Sequence, residues 1–201
     1  MESRPVRERV LEAGLVCIGR YGLARTTVDD VAQASGVSRA TIYRHFPGGR
    51  EQIVADTVAW EQARFFQRLG EAVARAPDLC VLIEDALVFA RRALREHAVF
   101  QRVVETEPDR LLPLLTVESF RILPMIGGFL VPYLERERDA GRLRPGADLG
   151  RTADYIARMV LSCIGARGVY DLDDPAEVRL LVREQLLAGV LAPGTILVPR
   201  S

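Results

Sequence analysis

The sequence predicts an all-α fold: an N-terminal unit of three helices over residues 1–50, followed by a larger helical domain over residues 51–201. Three observations predict it. Apolar residues recur at the three- and four-residue spacing of a helix face almost from end to end. Glycine and proline interrupt that periodicity at about one helix length. Two of the predicted helices, within residues 26–50, are short and meet at a glycine.

The first helix, over residues 5–20, carries Val6, Val10, Ala13, Cys17 and Ile18 on one stripe; Pro5 suits its first turn, and Tyr21 and Gly22 end it. Arg25 and Thr26 then approach the start of the next helix, where backbone donors and hydroxyls bind phosphate. Thr27 precedes the apolar positions Val28, Val31 and Ala32 and is followed by Asp30, the pattern of a cap and a first-turn acid. Ser35 and Gly36 stop that helix, because glycine readily takes the left-handed backbone of a sharp exit. Val37 fills the corner and Ser38 caps a second helix. In it Ile42 and Phe46 lie four apart and face the core, leaving Arg39, Ala40, Thr41, Arg44 and His45 outward. This is a helix-turn-helix pattern with a donor-rich face, the arrangement whose second helix enters the DNA major groove. Arginine pairs two-pronged with guanine, and a threonine methyl meets thymine. Plain helical packing uses the same caps. On that reading Arg39 and Arg44 are solvated surface arginines, and His45 packs its ring at the domain edge.

The run of Gly22, Thr26-Thr27-Val28, Val31-Ala32, Gly36-Val37-Ser38 and Thr41-Ile42-Tyr43-Arg44-His45-Phe46-Pro47 resembles the TetR/AcrR family of bacterial transcriptional regulators. The resemblance covers roughly the first quarter of the chain; beyond about residue 58 only length and helical layout agree. It implies that Thr26 or Thr27, Tyr43 and His45 hold the DNA backbone and that Arg39, Thr41 and Arg44 lie nearest the bases; Ser38, the cap of the second helix, is a further DNA-binding candidate. Members follow the Phe-Pro pair with a short linker and a phosphate-binding lysine. Here Gly48-Gly49-Arg50-Glu51 adds a residue and puts Arg50 in the lysine's place.

A long helix is expected from residue 50 to about 76, a natural lever between domains, and further helices over 79–96 and 98–105. Residues 109–142 look less regular. Leu111, Leu112, Leu114, Leu115, Phe120, Met125 and Phe129 are too many apolar residues for one stripe, and Pro113, Pro124 and Pro132 each remove a backbone donor. Gaps between bent helices make apolar cavities, so Trp60, Phe89 and Phe129 are candidate effector-lining residues; the alternative is simply core. Helices are expected over 147–170 and 175–191, the latter with Asp174 as cap and Pro175 in the first turn. Both have apolar faces too wide for one stripe, which suits burial on a partner subunit or deep in the core. The resemblance implies a two-fold homodimer through them. The tail from 193 is expected to be irregular.

Composition excludes several classes. The 201 residues carry 27 arginines and 27 acids, with neither lysine nor asparagine, for a formal net charge of zero. Residues 1–50 hold eight arginines against five acids and the remainder nineteen against twenty-two, so the basic end is the proposed DNA end. Residues 1–9 lack the apolar core of a secretory signal, and the uncharged run 122–134 is too short to span a bilayer, so a cytoplasmic protein with no membrane partner is expected. Cys17, Cys80 and Cys163 are odd in number and set among apolar neighbours, which favours core packing over disulfides or metal. An enzyme has little to work with. There are two histidines, His45 and His97, no phosphate loop, zinc spacing or nucleophile motif, and Glu105 and Glu107 read as a solvated helix end. The expected function is a homodimeric, ligand-responsive repressor, without cofactor, released from a palindromic operator in double-stranded DNA by a small, hydrophobic effector. The competing readings are a helical carrier or enzyme whose helix-turn-helix is architectural, and an activator without effector release.

Overall fold

The computed structural model describes residues 5–107, 109, 119–165 and 168–195. The chain divides into two compact units, Met1–Arg68 with Leu94–Pro113, and Leu69–Ala93 with Leu114–Ser201. Among the described residues the regular structure is helical: α1 Val6–Tyr21, α2 Val28–Ser35, α3 Arg39–His45, α4 Gly49–Val73, α5 Leu79–Glu96, α6 Ala98–Thr106, α7 Ser119–Asp139, α8 Leu149–Gly165 and α9 Pro175–Leu180, continued by a π-helical segment Leu181–Leu186.

In the first unit α1 is the spine. Its predicted stripe is buried apart from Val6, which is half-buried, and Val10, Ala13 and Cys17 pack with Val28 and Val31 of α2, Val37 of the turn, Ile42 of α3, Phe46 and Ile53 of α4. A smaller cluster joins Ile18 and Leu23 to Val103 of α6, with Val54, Val58 and Val99 against it. Two arginines of α1 brace this packing. The Arg9 guanidinium donates to the carbonyl of Ser35 at 2.7 Å, satisfying the end of α2. Arg7 donates to Asp56 on α4 at 2.7 Å and lies 4.8 Å from the centre of the Phe46 ring.

The second unit is built on α5, buried along much of its length, with Leu79, Leu82, Ile83 and Leu87 against Leu130 and Leu134 of α7, Ile156 of α8, and Val182 and Leu187. Two carboxylates enter this core and both are satisfied. Glu84 accepts from Arg183 at 2.7 Å; Glu137 accepts from Arg142 at 2.7 and 3.1 Å and from the Leu79 amide at 3.3 Å.

The second unit departs from the sequence expectation in three places. Where irregularity was expected, α7 runs unbroken through Pro124 and Pro132; both prolines are exposed while Leu123, Leu130 and Leu134 face in, so the rings stand on the wet side of the helix. The expected residues 111–115 and Pro113 fall outside the described residues, as do the side chain of Phe120 and the tail from 196. Helix α8 is shorter than 147–170: the Asp148 carboxylate caps it by accepting from the Arg151 amide at 2.9 Å, and it ends at Gly165. In place of one helix over 175–191, α9 widens after six residues into the π-helical segment, closed by the Leu187 amide donating to Val182 O at 2.9 Å. The cap and first turn were read correctly, since Asp174 accepts from the Ala176 amide at 2.8 Å and Pro175 opens the helix.

After α7 and after the π-helical segment the chain meets itself in an isolated antiparallel bridge, Leu143 with Leu191. The Arg144 amide donates to Val190 O at 3.0 Å and the Ala192 amide to Arg142 O at 2.8 Å. Each side then turns at a Pro-Gly pair, with Ala147 donating to Arg144 O at 3.2 Å and Thr195 to Ala192 O at 3.1 Å.

Candidate nucleic-acid interface

The start of α2 is fixed by reciprocal capping: Thr27 Oγ1 accepts from the Asp30 amide at 3.2 Å, and Asp30 Oδ2 accepts from the Thr27 amide at 3.0 Å. Its end is fixed by Gly36, whose φ of 63° is left-handed and so suits a residue without Cβ. Val37 is buried in the corner, and the Ser38 hydroxyl accepts from the Thr41 amide at 3.3 Å to start α3. Ile42 and Phe46 are fully buried. With those anchors set, helical geometry leaves Arg39, Ala40, Tyr43, Arg44 and His45 exposed and Thr41 half-buried. The Arg39 guanidinium pairs with Asp29 of α2 at 3.0 Å, both side chains largely in solvent. Tyr43 keeps 45% of its surface exposed, while its ring edge would lie 3.3 Å from a Cβ on Gly49, so the side chain leans on the start of α4 with its remainder free.

Not every expected residue faces out. Thr26 is 1% exposed and its hydroxyl donates to Gly22 O at 2.7 Å, so of the two threonines left open only Thr27 is on the surface. Arg50 turns inward: it donates to the carbonyls of Thr26 at 2.8 Å, Leu23 at 2.5 Å and Ala24 at 2.6 Å. The Glu107 carboxylate, expected at a solvated helix end, accepts from the Ala24 amide at 3.0 Å.

The effector candidates belong to both units. Trp60 is half-buried against the first unit's core, with the Arg64 guanidinium 4.5 Å above its ring. Phe89 is half-buried on α5 of the second unit. Phe129, on α7, is 40% exposed and tilts against Tyr133 with ring centres 5.4 Å apart. Among the described residues no group of three or more His, Cys, Asp or Glu is placed to hold a metal, and no helix is long and apolar enough to cross a membrane.

Two short helices locked at a left-handed glycine, with α1 behind them and a basic, hydroxyl-bearing face in front, define a helix-turn-helix DNA-binding protein. The family model for bacterial regulatory proteins of the tetR family matches residues 10–57. An HTH-type transcriptional regulator of Mycobacterium tuberculosis is 43% identical over 163 residues, 81% of this chain and 82% of that one. A second regulator from that organism is 33% identical over 66 residues, and the match spans 33% of this chain and only 34% of that protein's length. Among solved structures SmeT, a repressor of the Stenotrophomonas maltophilia multidrug efflux pump SmeDEF, superposes in its triclosan complex with a TM-score of 0.61 at 24% identity, over 96% of this chain and 94% of that one. The chain belongs to the TetR family, a family of DNA-binding transcriptional regulators and not of enzymes.

Proposed function

We propose that this chain is a cytoplasmic, homodimeric repressor that holds a palindromic operator and releases it on binding a small apolar effector. The observation that carries the reading is the outward face of α3, held in place by the Ser38 cap and the buried Ile42 and Phe46. On this reading residues 1–50 read DNA and residues 51–201 bind effector and dimerise. Arg39, Thr41 and Arg44 face the bases, and Thr27, Ser38, Tyr43 and His45 face the phosphates. Thr26 and Arg50 support them from inside.

Dimerisation through α8, α9 and the π-helical segment is supported by Tyr155 and Leu180, which those helices leave exposed although neighbouring positions are buried. An apolar effector is supported by Met125 and Phe129, exposed on α7, and by the triclosan that SmeT holds in a similar fold. Two-fold symmetry places one recognition helix per subunit in successive major grooves, hence the palindrome. Effector binding weakens operator binding only by its differential affinity for the two conformations.

Selection of bound duplexes from a random DNA pool, at two salt concentrations because phosphate contacts are salt-dependent, tests the reading. One palindromic sequence should be enriched. Enrichment of nothing at either salt, or of a single unrepeated half-site, overturns it.

A further inference from the structure

We propose that Glu107, which lies outside the helix-turn-helix and follows α6, is a positioning residue for operator reading that acts through the loop between α1 and α2. The inference rests on the DNA-reading role proposed above.

Both backbone groups of Ala24 are held by charged partners. Its amide donates to Glu107 Oε2 at 3.0 Å, and its carbonyl accepts from Arg50 at 2.6 Å. One partner comes from the end of α6 and the other from the first turn of α4. Arg50 also holds Leu23 O and Thr26 O, so three carbonyls of a four-residue stretch converge on one guanidinium. Hydrogen bonds to ionised partners are shorter and stronger than neutral ones.

The chain makes room for this contact. Gly22 has φ +90°, and a Cβ built there would fall on Glu107 Oε1, so any larger residue would displace the carboxylate. Beneath it Ile18, Leu23 and Val103 pack together, but the edge opens on a cleft lined by Tyr21, Arg25, Arg102 and Thr106. Glu107 is therefore the polar tie on the open side of the loop.

None of this is required to form α2, since the Thr27–Asp30 capping is complete within the helix and an exposed Ala24 amide can be met by water. What the tie fixes is where α2 begins. Thr26, whose hydroxyl and carbonyl are both engaged in the loop, leads directly into Thr27, and Asp29 in the first turn of α2 holds Arg39. Moving Ala24 shifts the platform on which Arg39 is presented.

The test uses the full chain, the duplex recovered by selection and a scrambled duplex of equal length. Glu107→Ala should weaken binding to the selected duplex about tenfold, the scale of one charge-assisted hydrogen bond. Binding to the scrambled duplex should fall by clearly less, because of the phosphate-facing residues only Thr27 sits at the start of α2. Glu107→Gln, whose side-chain carbonyl still accepts from Ala24, should restore most of the discrimination. Amide exchange at Ala24 should quicken in the alanine variant alone. Equal affinities for wild type and Glu107→Ala overturn the proposal. So does a loss shared equally by both duplexes, or one that follows the melting temperature, since either marks a purely structural role. A wild-type chain that prefers no duplex fails the DNA-reading role itself, visible before any variant is made, and removes this proposal with it.

Discussion

Arg50 and Arg44 sit six positions apart and have opposite surroundings: Arg50 turns its guanidinium onto three backbone carbonyls, and Arg44 leaves its own in solvent. Lysine is a compact charge without the planar fork, so it cannot span Leu23, Ala24 and Thr26 together. Arg50→Lys should therefore destabilise the chain by about 1–3 kcal/mol in urea unfolding. Arg50→Gln, which removes the charge, should leave the salt slope of operator binding as in wild type. A slope shallower by about one, with stability intact, would return Arg50 to the phosphates. The caps at Thr27, Ser38 and Asp174 were legible because each partner lies two or three residues away. Arg7, Arg9 and Glu107 were not legible. Their partners lie 49, 26 and 83 residues away, and no local pattern links an arginine on α1 to the end of α2 or a glutamate after α6 to Ala24.

At the level of elements, α1 and α4 approach closely where Gly14 meets Thr57. A Cβ on Gly14 would lie 2.5 Å from Thr57 Oγ1, and that hydroxyl is buried with no hydrogen-bond partner among the described residues. Gly14→Ala should cost about 1–3 kcal/mol by overpacking. Adding Thr57→Ala should recover part of it, so unfolding of the two single variants and the double variant should be non-additive. Additive losses would mean that the helices separate freely there. Helices α1 to α6 were legible from periodicity and caps because each buries one face against its neighbours. Proline content misled at α7, where sequence does not disclose that both rings face solvent. The widening after α9 was hidden for a different reason: a π-helical turn changes hydrogen-bond register without changing composition.

For the whole chain, the three thiols separate by depth. Cys17 and Cys80 are buried and Cys163 partly so. Burial pushes all three up, Cys80 to about 12. With its folded value above its unfolded one, Cys80 contributes stability that is fully present below about pH 9 and is lost as pH rises towards 12. Maleimide labelling of the native chain followed by mass spectrometry should modify Cys163 first, and Cys17 and Cys80 only after denaturant is added. Early labelling of Cys80 would contradict the core of the second unit. Fold class and the reading helix were legible because capping and burial leave local marks. Effector lining leaves no such mark, because an apolar residue at a cavity and one in solid core have the same sequence. Trp60 lies in the first unit, Phe89 and Phe129 in the second.

The bridge between Leu143 and Leu191 has a further consequence. In antiparallel register the pairs on either side are Arg144 with Val190 and Arg142 with Ala192, and each would need a second, reciprocal bond to lengthen the ladder. The amides that would donate it are engaged elsewhere, that of Val190 to Leu187 O at 2.9 Å and that of Arg142 to Glu137 O at 2.9 Å. The ladder is thus arrested in both directions after one pair. A longer paired segment would present a row of open donors and acceptors onto which a neighbouring molecule's strand could add. The two diverted amides keep the crossing as short as a crossing can be, and among the described residues they leave no template for cross-molecule stacking.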